Sequence, residues 1–328
     1  MIDHETTVLV RSHSRCLGHD PGLGHPESAR RLDVILDALE SGAGGGWVVD
    51  REAPLPPEDD TVGVLRWIHD ADHIERVRAA SKAGVGWLDT EDCRVSAETY
   101  SSAVAAAGLA LAASLDLVNR RLRRAFLVVR PPSHHAERSR AKGYCFFNSV
   151  ALAADVIANS WGGPVLIADF DAHHGNGTQQ HFYDRPEVGY VSVHGYPRFP
   201  GTGTADETGG VGAEGANRNV PLASGADDAV FCAAFEGALE EVASVLRPVA
   251  VVVSAGFDAH VGDPLGGMVV SESGFRRLTA AVTAVAQRWA GGRILSILEG
   301  GFDLQALANC ARIHVEELAT GVEGKADA

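Results

Sequence analysis

Cysteine is scarce in this 328-residue chain. The five residues (Cys16, Cys93, Cys145, Cys232 and Cys310) are too scattered for zinc-finger spacing or a disulfide framework. Their expected role is as small core or boundary residues in a reducing compartment. No apolar stretch reaches membrane length, and no basic N-terminal region precedes a secretory segment, so a soluble, cytoplasmic protein is expected. Basic residues are outnumbered: 28 Lys and Arg against 43 Asp and Glu give a formal net charge of −15. Nothing resembles a broad basic nucleic-acid surface, and repulsion from phosphate is expected. Glycine doublets fall at separate turns, and none completes a GxGxxG fingerprint or a phosphate loop. Also missing are an internal repeat, a low-complexity linker and a domain boundary. The expectation is one large domain over residues 1–319 with a short flexible tail, 320–328, of small and polar residues.

What is present is a recurring unit of strand, loop and helix. Short apolar runs at 7–10, 126–129, 165–168, 188–194, 250–253 and 294–298 read as buried strands. Helices are expected near 27–40, in two short pieces after 60, and over 97–122, 148–160, 227–246, 272–290 and 303–318. Trp67 and Ile68 are expected in the core. Residues 81–93 read as a loop with Asp89, Glu91 and Asp92 at its acidic tip, and 205–219 as mostly loop. The alternation predicts one α/β domain with a mainly parallel sheet, helices on both faces, and functional loops at strand C-termini.

The chemistry gathers at those strand ends. PVLIADFDAHHGNGTQQ runs from a buried strand into Asp169, Asp171 and His173. If the extended conformation persists, the two-residue period places these three on one face. They read either as a divalent metal site or as a capped strand end with solvated acids. VVVSAGFDAH repeats the pattern and adds Asp258. Asp171, His173 and Asp258 together offer three protein ligands of a kind zinc accepts, leaving room for water and a substrate carbonyl. His134 and His135, after Pro131-Pro132, are ordinary structural histidines or managers of the protons of attacking water and leaving amine. His13, His19 and His25 are irregularly spaced and carry no metal signature.

RPPSHHA, GYCFFNSVALAA, DFDAHHGNGTQQ, FPGTG, VSAGFDAHVGDPLGG and LEGG, taken in order, resemble the zinc-dependent histone deacetylase superfamily, which includes bacterial acetylpolyamine amidohydrolases and deacetylase-like amidohydrolases. HPESARRL extends the resemblance upstream, so it spans about residues 13–315. It implies the arginase/deacetylase fold and zinc on Asp171, His173 and Asp258. It also implies a catalytic pair, His134 supported by Asp169 and His135 lying near Asn176. Tyr144 and Phe199 match the aromatic walls of an acyl-substrate channel, Leu265 its entrance, and Asp92 an acidic rim residue. A K+ or Na+ ion near the Asp169–His173 loop is implied as well. The implied substrate is a small acylated amine or an acyl-lysine-like amide; monomer and homo-oligomer both stay open.

One residue departs from the pattern. Related active enzymes place a tyrosine after the final GG, where its hydroxyl helps hold the carbonyl and the oxyanion. Here LEGGF puts Phe302 there, keeping an aromatic wall without a donor, so roughly 3 kcal/mol of transition-state stabilisation is at stake. Two functions follow as expectations: a zinc amidohydrolase altered or weakened toward simple acetyl-lysine, or a non-catalytic zinc protein that binds acylated ligands or partner proteins. An arginase-like binuclear manganese hydrolase would want further acidic ligands at these strand ends.

Overall fold

A computed structural model describes residues 7–42, 45–84 and 86–320. Its sheet contains β1 (Val8–Arg11), β2 (Trp47–Asp50), β3 (Arg124–Leu127), β4 (Val165–Asp169), β5 (Val188–Gly195), β6 (Asn217–Leu222), β7 (Ala250–Ala255) and β8 (Ile294–Leu298). The strand order is β2-β1-β3-β8-β7-β4-β5-β6, and each neighbouring pair runs parallel. The central strands are buried at every position, as VLIAD, AVVVSA and ILSIL should be in a parallel sheet covered on both faces.

The helices form two layers. On one face α1 (Arg30–Ser41), α7 (Asp228–Leu246), α8 (Glu272–Trp289) and α9 (Leu304–Thr320) pack side by side. The other face carries α4 (Thr99–Val118) and α5 (Ser149–Trp161), backed by α2 (Glu58–Ile68) and α3 (Ala71–Ala83). Side-chain caps mark several starts: Asn148, Asp227 and Ser271 each accept a backbone N–H from three residues on. Among the described residues, α4 alone is long and apolar enough to cross a membrane; 72% of its apolar window is buried inside the protein, so it is a core helix. All five cysteines are free and buried, as expected.

Several local expectations shift. Strand β2 was not anticipated, and β6 begins at Asn217, inside the stretch expected to be loop. Both are edge strands and only partly buried; β2 offers just Trp47-Val48-Val49 beside a glycine-rich stretch, and β6 is interrupted by Asn217, Arg218 and Asn219. Helix α3 continues to Ala83, where Gly84 ends it in the left-handed region at φ 78°. Trp67 is 51% exposed. The buried face of α2 is Thr61, Val62, Leu65 and Ile68, and Trp67 falls off that stripe. The first helix begins at Arg30 instead of near Glu27, because Glu27 is drawn into a buried ion pair described below. Thr320 is still helical; the remaining residues of the expected tail, 321–328, lie outside the described residues.

Candidate metal centre and active site

Strands β3, β8, β7 and β4 are neighbours at the middle of the sheet, and the loops leaving their C-terminal ends converge. Register puts Asp169 level with Ser254 and Ala255 level with Leu298, so the strands end at one height. Strand β4 stops at Asp169, and the chain then turns, the Asp171 and His173 amides donating to Asp169 Oδ1 at 3.1 Å and to Asp171 Oδ1 at 2.9 Å. The extended continuation does not occur; the turn brings Asp171 and His173 to Asp258 instead.

Asp171, His173 and Asp258 present ligand atoms that all lie within 4.8 Å of one another. His173 Nδ1 is 3.1 Å from Asp171 Oδ1 and 2.8 Å from Asp258 Oδ2. Backbone amides hold the remaining oxygens: Gly300 N–H donates to Asp171 Oδ2 and Ala172 N–H to Asp258 Oδ1, each at 2.8 Å. Gly300 is needed for that approach, since a Cβ there would sit 2.5 Å from Asp258 Oδ2 and 2.6 Å from Asp171 Oδ2. Burial and the charge of Asp171 push the Asp258 carboxyl up. Burial acts the same way on Asp171, but the imidazoles of His134 and His173 override it and hold that carboxyl well below the usual range. Two buried carboxylates both contact the His173 imidazole, and a divalent cation held between them would offset their like charges. The oxygen and nitrogen donors suit zinc, and three protein ligands leave a position open.

The adjacent histidines have different partners. His134 Nδ1 lies 3.0 Å from Asp169 Oδ2, which also accepts the Tyr190 hydroxyl at 3.0 Å. Burial alone would lower His134, but Asp171, Asp169 and Glu299 together raise it to about 10. A cation on Asp171 would remove part of that pull. His135 Nδ1 lies 2.9 Å from Asn176 Oδ1. The Asn176 amide donates through Nδ2 to Glu137 Oε1 at 2.7 Å, a carboxylate that can only accept. Its Oδ1 must therefore accept from His135 Nδ1–H, which leaves His135 Nε2 unprotonated. Burial, with positive neighbours His134 and His173, keeps His135 well below its ordinary value. Two neighbouring imidazoles, ring centroids 4.0 Å apart and planes tilted by 47°, are thus biased toward opposite protonation states.

Above this cluster opens a cavity of about 490 Å³ lined by His134, His135, Asp171, His173 and Asp258, and also by Asp92, Tyr144, Phe199, Leu265 and Phe302. The sequence-derived residues thus share one cavity, except Asp169 and Asn176, which stand behind the histidines. Phe199 packs edge-on to His135 at 5.1 Å, and Tyr144 edge-on to Phe302 at 6.0 Å. Gly143 and Tyr144 both adopt positive φ, 57° and 66°, and for tyrosine that is a strained conformation at a pocket wall. Asp92 Oδ2 accepts the Gly143 N–H at 2.9 Å, while its Oδ1 is shielded and without a donor. Asp89 does not join the cavity wall; it pairs with Arg76 at 3.1 Å and accepts the Ala141 amide. Of the upstream histidines, His25 meets Tyr144 edge-on at 4.8 Å, His13 caps a 3-10 turn, and His19 is buried beside Glu27.

Four supporting groups escaped sequence reasoning. Glu299 is fully buried and accepts the amides of Ser133 and His134 at 2.6 and 3.1 Å as well as the Ser133 hydroxyl. Burial raises it to about 7. Asp263 accepts the amides of Leu265 and Phe302 at 2.8 and 2.6 Å, tying the two cavity-wall loops together. Tyr190, on β5, braces Asp169. Finally, Glu27 takes both Arg130 Nε (2.7 Å) and Nη2 (2.8 Å), and Arg31 Nη1 at 3.4 Å. Arg31 in turn donates to the carbonyls of Gly301 and Glu299 and lies 5.0 Å over the Phe302 ring. Glu299 lies in LEGG, Asp263 in VSAGFDAHVGDPLGG, Glu27 and Arg31 in HPESARRL and Arg130 in RPPSHHA, but no local pattern reveals their burial; Tyr190 lies outside every quoted motif.

Comparison with known proteins agrees with this geometry. The family model described as "Histone deacetylase domain" matches residues 25–318. Histone deacetylase 15 of Arabidopsis thaliana is 36% identical over 298 residues, which is 90% of this chain and 52% of that protein, so the chain spans about half the length of that relative. A histone deacetylase-like amidohydrolase of Pseudomonas aeruginosa is 36% identical over 296 residues, 90% of this chain and 76% of the relative. A probable deacetylase of Archaeoglobus fulgidus is 30% identical over 293 residues, 89% and 80% of the two chains. The crystal structure of the HDA15 HD domain superposes with a TM-score of 0.88 at 33% identity, over 96% of this chain and 89% of that one.

Proposed function

The chain belongs to the zinc-dependent histone deacetylase and amidohydrolase superfamily, and on that premise we propose that it hydrolyses an acyl amide to a carboxylate and an amine. The observation that carries the reading is a three-ligand cluster at the base of a cavity beside two histidines biased to opposite protonation states. Asp171, His173 and Asp258 would hold zinc. When bound there, zinc supplies a Lewis acid that polarises the amide carbonyl and makes a water more acidic. His135, its Nδ1 proton committed to Asn176, takes the water's proton at Nε2. His134, its Nδ1 proton committed to Asp169, is the nearby imidazolium that favours the developing oxyanion and gives a proton to the leaving amine. Tyr144, Phe199, Leu265 and Phe302 enclose the acyl-bearing chain and exclude water, and Asp92 meets the substrate at the rim. A K+ or Na+ ion beside the Asp169–His173 loop would stiffen it. The substrate is a small acylated amine or an acyl-lysine-like amide, handled in the cytoplasm within one catalytic domain over 1–319, with no nucleic acid involved.

The test is a zinc-loaded protein assayed over acetyl-polyamines, acyl-lysines and small amides. Turnover that falls at least a hundredfold in His135→Ala, with zinc content unchanged, is expected. No turnover across the panel would count against hydrolysis. Phe302 favours a second reading, a zinc protein that binds acylated ligands without cleaving them, because a wall without a donor can still bind. Calorimetric binding of an acyl ligand with no metal-dependent hydrolysis would select it.

A further inference from the structure

The cavity wall contains one arginine that the proposed hydrolysis leaves unused. Arg198 precedes Phe199, itself 43% exposed, and lines the same cavity. Its Nη2 donates to the Leu265 carbonyl at 2.7 Å and its Nη1 to the Ser224 hydroxyl at 3.4 Å, so the fork is anchored. Nε is shielded from solvent and has no acceptor. Among the described residues no carboxylate pairs with this guanidinium. The backbone makes room for it: a Cβ on Gly267, at φ +67°, would lie 2.5 Å from Nη1, and one on Gly195 would lie 2.7 Å from Cδ. A second positive group flanks the wall, Lys142 Nζ at 5.6 Å from the Phe199 ring centroid.

A guanidinium with no carboxylate beside it keeps its charge unneutralised, and an anionic oxygen is the partner that the remaining N–H groups on its Nη atoms suit. The chain as a whole carries −15, and Asp92 lines this cavity, so an anionic substrate gains from a local cation on entry. With the acyl group at the metal cluster, the amine-side portion of the substrate leaves past Phe199 and Leu265, beside Arg198. We propose that Arg198 makes this site selective for amides whose amine-side portion bears a free carboxylate, namely an ω-N-acyl α-amino acid; the inference rests on the hydrolytic reading above. The α-carboxylate meets Arg198. In a free amino acid, the α-ammonium meets Asp92, whose Oδ1 is also shielded and without a donor.

Three probes separate the possibilities on the zinc-loaded 328-residue chain: Nε-acetyl-lysine, its Nα-capped form with a free carboxylate, and the Nα-capped carboxamide. Binding is read by calorimetry and turnover by steady-state kinetics. The capped carboxylate should bind at least tenfold tighter than the capped carboxamide, with the difference in KM more than in kcat. In Arg198→Gln that ratio should approach one, and Arg198→Lys should restore part of it. Equal affinity for the two capped probes in the parent protein overturns the proposal without any variant, and so does an unchanged ratio in Arg198→Gln. Discrimination in binding without turnover supports selectivity and overturns hydrolysis. Turnover without discrimination does the reverse, and no binding or turnover of any probe overturns both. If the free amino acid outbinds its capped form, the source is a free acylated amino acid with Asp92 engaged. If it does not, the source is a chain's C-terminal residue.

Discussion

Phe302→Tyr adds one hydroxyl at the position where the family resemblance implies a donor, and the structure sets what that oxygen can do. The Phe302 backbone is fastened by its amide to Asp263 Oδ2 at 2.6 Å. Its ring is confined between the edge-on Tyr144 ring at 6.0 Å and the Arg31 guanidinium at 5.0 Å. Arg31 cannot yield easily, since its Nε donates to the Gly301 carbonyl at 2.7 Å from a fully buried position. The ring plane is therefore set before the hydroxyl is added, and the added oxygen enters a cavity of about 490 Å³ without crowding the core. A preorganised donor at a developing oxyanion contributes about 2.7–4 kcal/mol, or roughly 10²–10³ in kcat. Imperfect placement in a site not evolved for it should reduce the gain, so at least a tenfold rise in kcat on an acetyl-lysine substrate is expected. The assay is steady-state kinetics at saturating substrate, with zinc stoichiometry and Tm measured alongside. A change under about threefold, with metal content and Tm unaltered, would refute the idea that the missing hydroxyl limits turnover.

Gly300→Ala should lower metal affinity at least tenfold in a chelator competition, because the new methyl would lie 2.5 Å from Asp258 Oδ2 and 2.6 Å from Asp171 Oδ2 and push both carboxylates aside; unaltered affinity would mean the loop yields freely. Asp258→Asn should abolish most of the Tm rise that zinc produces in the parent, since that rise follows ligand affinity, while the metal-free protein loses little because burial and Asp171 already disfavour the Asp258 charge. Scanning calorimetry with zinc and with chelator checks both halves. Glu27→Gln should destabilise the fold by about 3–5 kcal/mol in denaturant titration, as it leaves Arg130 and Arg31 buried with their charge uncompensated. Burial pushes the Glu27 carboxyl up, but Arg130 and Arg31 hold it near 2, below its unfolded value of 4.5. Its contribution, on the order of 3 kcal/mol, is thus present above pH 4.5 and lost as pH falls from there toward 2. Glu27→Gln should remove that part of the acid dependence, and an unchanged acid profile would show that other carboxyls dominate.

The sequence was most legible where a property is carried by a short stretch. VLIAD, AVVVSA and ILSIL announce buried parallel strands because both faces are covered and no alternation is needed. The acids and histidines that follow them gather at the strand ends, where buried polar groups find backbone amides as partners, as Asp169, Asp171 and Asp258 do. Edge strands β2 and β6 were illegible for the complementary reason, being only partly buried. Trp67 misled because residue type outweighed position, and the stripe of α2 leaves it outside.

By itself, then, the sequence determined the α/β class, the strand ends as the place of chemistry, and the residue types available there: two carboxylates and an imidazole for a cation, and a histidine pair beside them. Only the tertiary structure decided how these atoms are used. Glu27 and Arg130 stand 103 residues apart in the chain, and Gly300 and Asp171 are separated by 129. The strand order β3-β8-β7-β4 makes the second pair neighbours, and no local pattern encodes that order. The same convergence sets the Asn176 amide against Glu137, which leaves His135 Nε2 free as an acceptor, and it lays Arg198 along the cavity wall without a carboxylate among the described residues to neutralise it. Protonation states and unpaired charges depend on which groups share a dry space, and that is a property of packing.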